Sequence, residues 1–157
     1  MKIQLWSVGK AHESYVKEGT EDFTRRISKY YPVEWKIFPP ARQTINTLES
    51  EVKKQEAQTL LSSLTKDDYV ILLDERGKQF TSPQLATFLE QRANESTRQL
   101  LFIIGGAFGV DKSIEKRANH TWSLSNLVFP HHLVRLMLAE QLYRACTIIR
   151  NEKYHHS

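Results

Sequence analysis

The sequence predicts an α/β domain with a mainly parallel sheet, and three observations carry that prediction. Strand-like runs alternate with stretches of helical periodicity from one end of the chain to the other. Two of those runs, Tyr69 to Leu73 and Leu100 to Ile104, are almost wholly apolar, as strands covered on both faces are. The 157 residues contain no internal repeat, linker or low-complexity stretch, so one domain over residues 1–157 is expected.

The elements follow in order. Ile3 to Val8 alternates apolar and polar side chains and reaches Gly9, which reads as a strand. Residues 12–30 place Tyr15, Val16, Phe23, Ile27 and Tyr30 at helical spacing, and Pro32 ends the helix. Val33 to Phe38 alternates again and stops at Pro39-Pro40. A polar loop over 40–46 leads to a helix over 47–64, marked by Leu48, Val52, Leu60, Leu61 and Leu64. After the run at 69–73, Asp74 to Gly77 reads as a turn. Thr81-Ser82-Pro83 is a helix start, with proline in the first turn. Asp111 can cap a short helix to Ala118. A strand from Thr121 to Leu124 and a helix over 132–149 complete the order.

Composition narrows the class. Hydrophobic residues make up 40% and charged residues 25%, the proportions of a soluble globular protein. No apolar run approaches the ~18 residues that span a bilayer. The first nine residues read as a strand, not a secretory leader, so a cytoplasmic location is expected and no membrane partner. The net charge of +4 leans towards a polyanionic partner. The single cysteine, Cys146, excludes an intrachain disulfide and reads as a small buried hydrophobe. Five of the six histidines stand at 120, 131, 132, 155 and 156, but no Cys/His/carboxylate spacing matches a metal site, and no metal is expected.

Candidate chemistry concentrates in the last third. Gly105, Gly106 and Gly109 follow a buried strand and precede a helix. Glycine lets a ligand approach the backbone, and ligands of open α/β sheets sit outside the carboxyl ends of strands. The loop matches neither the dinucleotide fingerprint nor the phosphate-binding loop, so a plain tight turn stands beside a cofactor floor. Trp122 to Pro130 is small and apolar, with Ser123, Ser125 and Asn126 able to hydrogen-bond, and suits either an adenine pocket or a strand exit. On the last helix Val134, Leu138, Leu142, Ala145 and Ile149 form an apolar stripe that Leu133, Leu136, Tyr143 and Cys146 widen. A stripe of that breadth fits a second subunit or deep burial within one. Tyr154-His155-His156 has the aromatic and basic character of a group that stacks on a base and meets phosphate, or of a frayed end.

Taken together, these strings carry a resemblance. Ile103-Ile104-Gly105-Gly106-Ala107-Phe108-Gly109-Val110, Trp122-Ser123-Leu124-Ser125-Asn126-Leu127-Val128-Phe129-Pro130-His131, and Leu133-Val134-Arg135-Leu136-Met137-Leu138-Ala139-Glu140-Gln141-Leu142-Tyr143-Arg144-Ala145 occur in one order, with Leu72-Leu73-Asp74 and Gly77-Lys78 before them and Tyr154-His155 after. The chain resembles the bacterial 23S ribosomal RNA pseudouridine-N3 methyltransferases, minimal members of the SPOUT superfamily. The resemblance implies a C-terminal trefoil knot, which sequence rules would not suggest. It implies a homodimer, S-adenosylmethionine as cofactor, and methylation of N3 of a pseudouridine in large-subunit ribosomal RNA on assembled ribosomes. By position it implies a cofactor pocket of Leu73, Gly105, Leu124, Ser125, Asn126, Leu127, Val128 and Phe129. It gives catalytic roles to Tyr154 and His155, with one subunit's tail serving the other's cofactor, and RNA contacts to His131, Arg135 and His156. Relatives often carry arginine where His156 stands, so a permanent cation becomes a titratable one. N3 must shed a proton on methylation; a histidine or a water held by the tail could take it, and His155 is the first candidate. Arg25, Arg26 and Lys29 suit phosphate contacts or a solvated helix face. The alternatives from other classes are a non-enzymatic ribosome-associated RNA-binding factor and a nucleotide-binding regulatory domain.

Overall fold

The computed structural model describes residues 1–156. Five parallel strands, β1 (Lys2–Val8), β2 (Val33–Phe38), β3 (Tyr69–Gln79), β4 (Gln99–Ile104) and β5 (His120–Ser123), form one sheet in the order β2-β1-β4-β3-β5. Helices α1 (Ser14–Ile27), α2 (Glu49–Ser63), α3 (Ser82–Asn94), α4 (Lys112–Arg117) and α5 (His131–Ile149) connect and follow them. The expected α/β architecture with a parallel sheet is therefore the one observed.

The apolar runs explain the layering. The middle strand β4 is covered on both faces, and Leu100 to Ile103 are wholly buried. One face packs Ile3, Leu5, Ile71, Leu100 and Phe102 against α1, α3 and α5. The other packs Trp6, Val8, Val70, Leu72 and Ile103 against α2 and α4. Each fully buried branched side chain contributes about 1.5–3 kcal/mol relative to exposure. Caps fix the helix starts: Thr81 Oγ1 accepts from Gln84 N at 3.2 Å, and the Asp111 carboxylate from Ser113 N at 3.1 Å. Cys146 is buried, as its neighbours suggest, and burial pushes its thiol up to about 12.

Two features position the site. The chain leaves β3 towards α3 on one face and leaves β4 towards α4 on the other. Diverging exits open a crevice between neighbouring strands, the switch point where such sheets bind ligands. The second feature corrects an expectation. Residues 74–77 are not a turn between strand and helix but an irregularity within β3, which continues to Gln79. Trp122 of β5 pairs with both Leu73 and Lys78, so the residues between them bulge from the ladder at the sheet's carboxyl edge.

Candidate active site

A cleft of about 890 Å³ opens at that edge, a size suited to a small-molecule ligand. Its walls come from three strand ends, the segment entering α5, and the starts of α2 and α4. Leu73 closes β3, Ile104 and Gly105 close β4, and Leu124, Ser125, Leu127, Val128 and Phe129 follow β5, with His131 and Val134 beyond them. Seven of the eight expected cofactor residues thus meet in one place, although 73 and 124 are far apart in sequence. Asn126 is exposed and does not line the cleft.

The glycine loop is shaped by close packing beneath it. A Cβ on Gly105 would lie 2.7 Å from Val110 Cγ1, and one on Gly106 would lie 2.6 Å from Oε1 of the nearly buried Glu56. Glu56 in turn accepts a hydrogen bond from Ala41 N at 3.1 Å, which ties α2 to the loop after β2. Gly109 has φ +84° and donates its N–H to Gly106 O at 3.0 Å, closing a tight turn. The tight turn is observed, and its residues are among those that line the cleft.

Charge differs across the cleft. The carboxylates of Glu49, Asp74, Glu75, Asp111 and Glu115 outnumber the cations Lys53, Arg76 and Lys112. Arg76 bridges the bulge to α4: it donates to Asp74 Oδ2 and to Glu115 Oε1, each at 2.7 Å. The Arg76 guanidinium holds the Asp74 carboxyl below its usual range, and these pairs raise Arg76. Sequence reading missed this network because Asp74 and Arg76 look like ordinary turn residues and Glu115 lies 39 positions further on. The same lining includes apolar surface, where Leu127 is 68% and Val128 80% exposed. An apolar rim, open backbone at Gly109 and net negative charge suit a flat heterocycle carrying a cationic group.

The tail lies elsewhere. Tyr154 and His155 are half-buried against α5, outside the cleft of their own chain, and His156 is exposed. The Tyr154 hydroxyl donates to Glu140 Oε1 at 3.1 Å, and its ring meets Tyr143 edge-on at 4.7 Å. Burial, then the Glu140 carboxylate, raises the Tyr154 phenol.

Arg135 corrects an expectation. It cannot reach RNA in this conformation, because its side chain is wholly buried. Its guanidinium donates to Ser7 Oγ and Lys10 O, both at 2.8 Å, and meets His12 Nδ1 and His132 Nδ1 at 3.3 and 3.4 Å. Arg135 binds the first turn of α5 to the end of β1. Among the described residues no cluster of His, Cys, Asp or Glu could hold a metal ion, and no helix is long and apolar enough to cross a membrane.

A parallel α/β sheet with a cleft lined by the ends of β3, β4 and β5 defines the class. The sequence profile described as "Predicted SPOUT methyltransferase" matches residues 1–155, and the chain belongs to that family. Among its relatives is a Cytophaga hutchinsonii protein, 43% identical over 157 residues that cover 99% of this chain and 100% of the relative. Others come from Flavobacterium johnsoniae, 40% identical over 156 residues, and Parabacteroides distasonis, 38% identical over 156 residues, each covering 99% of both chains. All three relatives are named ribosomal RNA large subunit methyltransferase H.

Proposed function

We propose that this chain methylates N3 of a pseudouridine in large-subunit ribosomal RNA, using S-adenosylmethionine, and that it acts as a homodimer on assembled ribosomes. One observation carries the reading: the ends of β3, β4 and β5 meet in a single cleft, in a chain of the SPOUT methyltransferase family. The naming of its relatives supports ribosomal RNA as the substrate.

When bound, the cofactor supplies a methyl group on a cationic sulfur that leaves as a neutral thioether once a nucleophile has taken the methyl. Leu124, Leu127, Val128 and Phe129 would hold the adenine, with Gly105 and Leu73 beneath. The surplus of carboxylates favours binding of a cationic cofactor over its neutral product, which helps the product to leave. The remaining task is to aim N3, and alignment alone can lower a barrier by roughly 7–11 kcal/mol. The N3 proton leaves to water.

The homodimer is supported by α5, where Leu133, Met137, Glu140 and Arg144 share one face at helical spacing and are only half covered. The tail rests on that face, so it would enter the partner's cleft, with Tyr154, His155 and His156 meeting the nucleotide and His131 beside it. The trefoil knot belongs to the same reading. Its support is the path of the chain after β4, which passes β3 and pairs β5 on the outer edge of β3 before α5 returns across the α1 and α3 face.

The deciding experiment is mass spectrometry of ribosomal RNA from cells lacking the gene. One pseudouridine without its N3 methyl, restored by the gene and by purified protein with S-adenosylmethionine on 70S particles, is the expected result. Unchanged RNA would refute the reading in favour of a non-enzymatic RNA-binding factor.

A further inference from the structure

The tail carries its own chemical instruction. Arg144 Nη1 lies 3.3 Å from His155 Nδ1. A guanidinium has only donors, so this contact holds only when Nδ1 offers its lone pair. A neutral imidazole that accepts at Nδ1 carries its proton on Nε2. Arg144 is fixed in turn. It pairs with Glu140 one helical turn earlier, and its guanidinium covers the Tyr154 ring at 4.8 Å from the centroid. Glu140 also accepts from the Tyr154 hydroxyl at 3.1 Å, so one ion pair on α5 grips both tail residues.

We infer that Arg144, held by Glu140, keeps His155 in the tautomer with its proton on Nε2, so that the tail offers the target base a hydrogen-bond donor and not a proton acceptor. The inference rests on the proposed function, in which the tail meets a uracil-type ring. N3 of such a ring stands between two carbonyls, and as its proton departs the charge spreads to both oxygens. An N–H aimed at one oxygen stabilises that charge, as donors do wherever an oxyanion develops. His155 then serves as the group that touches the substrate, while Arg144 and Glu140 are positioning residues. This reverses the role of proton acceptor that the sequence alone suggests for His155.

Two measurements test it. Long-range nitrogen–proton NMR on histidine-labelled protein, with His155→Ala for assignment, should show His155 protonated at Nε2 alone, and Arg144→Gln should mix the tautomers. An Nδ1-protonated or doubly protonated ring at pH 7.5 in the wild type would overturn the inference. Methyl transfer to 70S ribosomes from gene-deleted cells supplies the second. Glutamine places an N–H near the position of Nε2 but cannot take a proton. His155→Ala should lose about 100-fold in kcat, and His155→Gln should recover to within about 10-fold of wild type. Arg144→Lys should exceed Arg144→Gln, with KM for S-adenosylmethionine unchanged in both. Equal losses for His155→Gln and His155→Ala, with cofactor binding intact, would make His155 the base and overturn the inference alone. Full activity in His155→Ala would remove the tail from the active site and overturn the underlying reading.

Discussion

Arg135 shows how one residue joins stability to the site. Its guanidinium lies in the core between the end of β1 and the first turn of α5, and burial lowers its pKa. His12 and His132 flank it, and each is held below its ordinary value of 6.5 by burial first and the Arg135 charge second. Glu21 opposes the shift at His12 and Glu13 opposes it at His132, without cancelling either. His120, stacked on Phe80 at 5.2 Å, is lowered by burial and then Lys78. A depressed histidine binds fewer protons folded than unfolded, so stability rises with pH across the interval between the two values. Stability is therefore full above 6.5 and is lost as pH falls from 6.5 towards the folded values. Thermal melts should show Tm decreasing from about pH 7.5 to 5.5, and a flat Tm would contradict the assignment. Arg135→Met should make that slope shallower, because burial and His120 still contribute to it, while lowering stability by about 2–4 kcal/mol in urea, since Ser7 Oγ and Lys10 O lose their donor.

At the scale of elements, the cleft depends on how closely β3 and β5 approach. A Cβ on Gly77 would come within 2.6 Å of both the carbonyl carbon and oxygen of Thr121. Backbone cannot swing aside as a side chain can, so Gly77→Ala must push β5 away from the bulge. Because Trp122 pairs with Leu73 and Lys78 on either side of that bulge, the displacement passes directly to Leu124. Gly77→Ala should weaken S-adenosylmethionine binding at least about tenfold by calorimetry and cost roughly 1–3 kcal/mol of stability. Native affinity in the variant would show that the bulge does not set the cleft. The sequence makes the strands legible because apolar runs at 69–73 and 100–104 leave little else for them to be. It makes the cleft legible in part, since Gly105 and 124–129 each follow a strand. The bulge is illegible because Asp74 to Gly77 carries the composition of a turn while the register of β5 keeps it in the sheet. Arg135 misleads for a related reason: its charge suggests surface, and the acceptors that admit it to the core, Ser7 and Lys10, lie more than a hundred positions away. Local pattern reports what a residue prefers, and long-range pairing decides where it goes.

At the scale of the whole molecule, the proposed function leaves the site divided between two chains. The cleft opens at the carboxyl edge of the sheet, while Tyr154 and His155 lie along α5 outside it. In the proposed homodimer a two-fold axis would bury the half-covered face of α5, because an isologous contact presents the same patch twice, and each tail would serve the other cleft. Trans complementation tests this. One chain ends after Glu152 and keeps its cleft; the other carries Leu124→Arg, which fills the adenine wall with charge, and keeps its tail. Each alone should form inactive homodimers that melt cooperatively, and only the first should bind S-adenosylmethionine. In mixed dimers, one of the two sites combines an intact cleft with an intact tail. Random pairing gives half mixed dimers, so co-refolding should restore roughly a quarter of wild-type methyl transfer. A tail that served its own cleft would restore nothing, because neither chain possesses both parts. Recovery must also saturate with total protein concentration as dimers form, which ties the regained activity to subunit contact and separates it from any trace of wild-type enzyme.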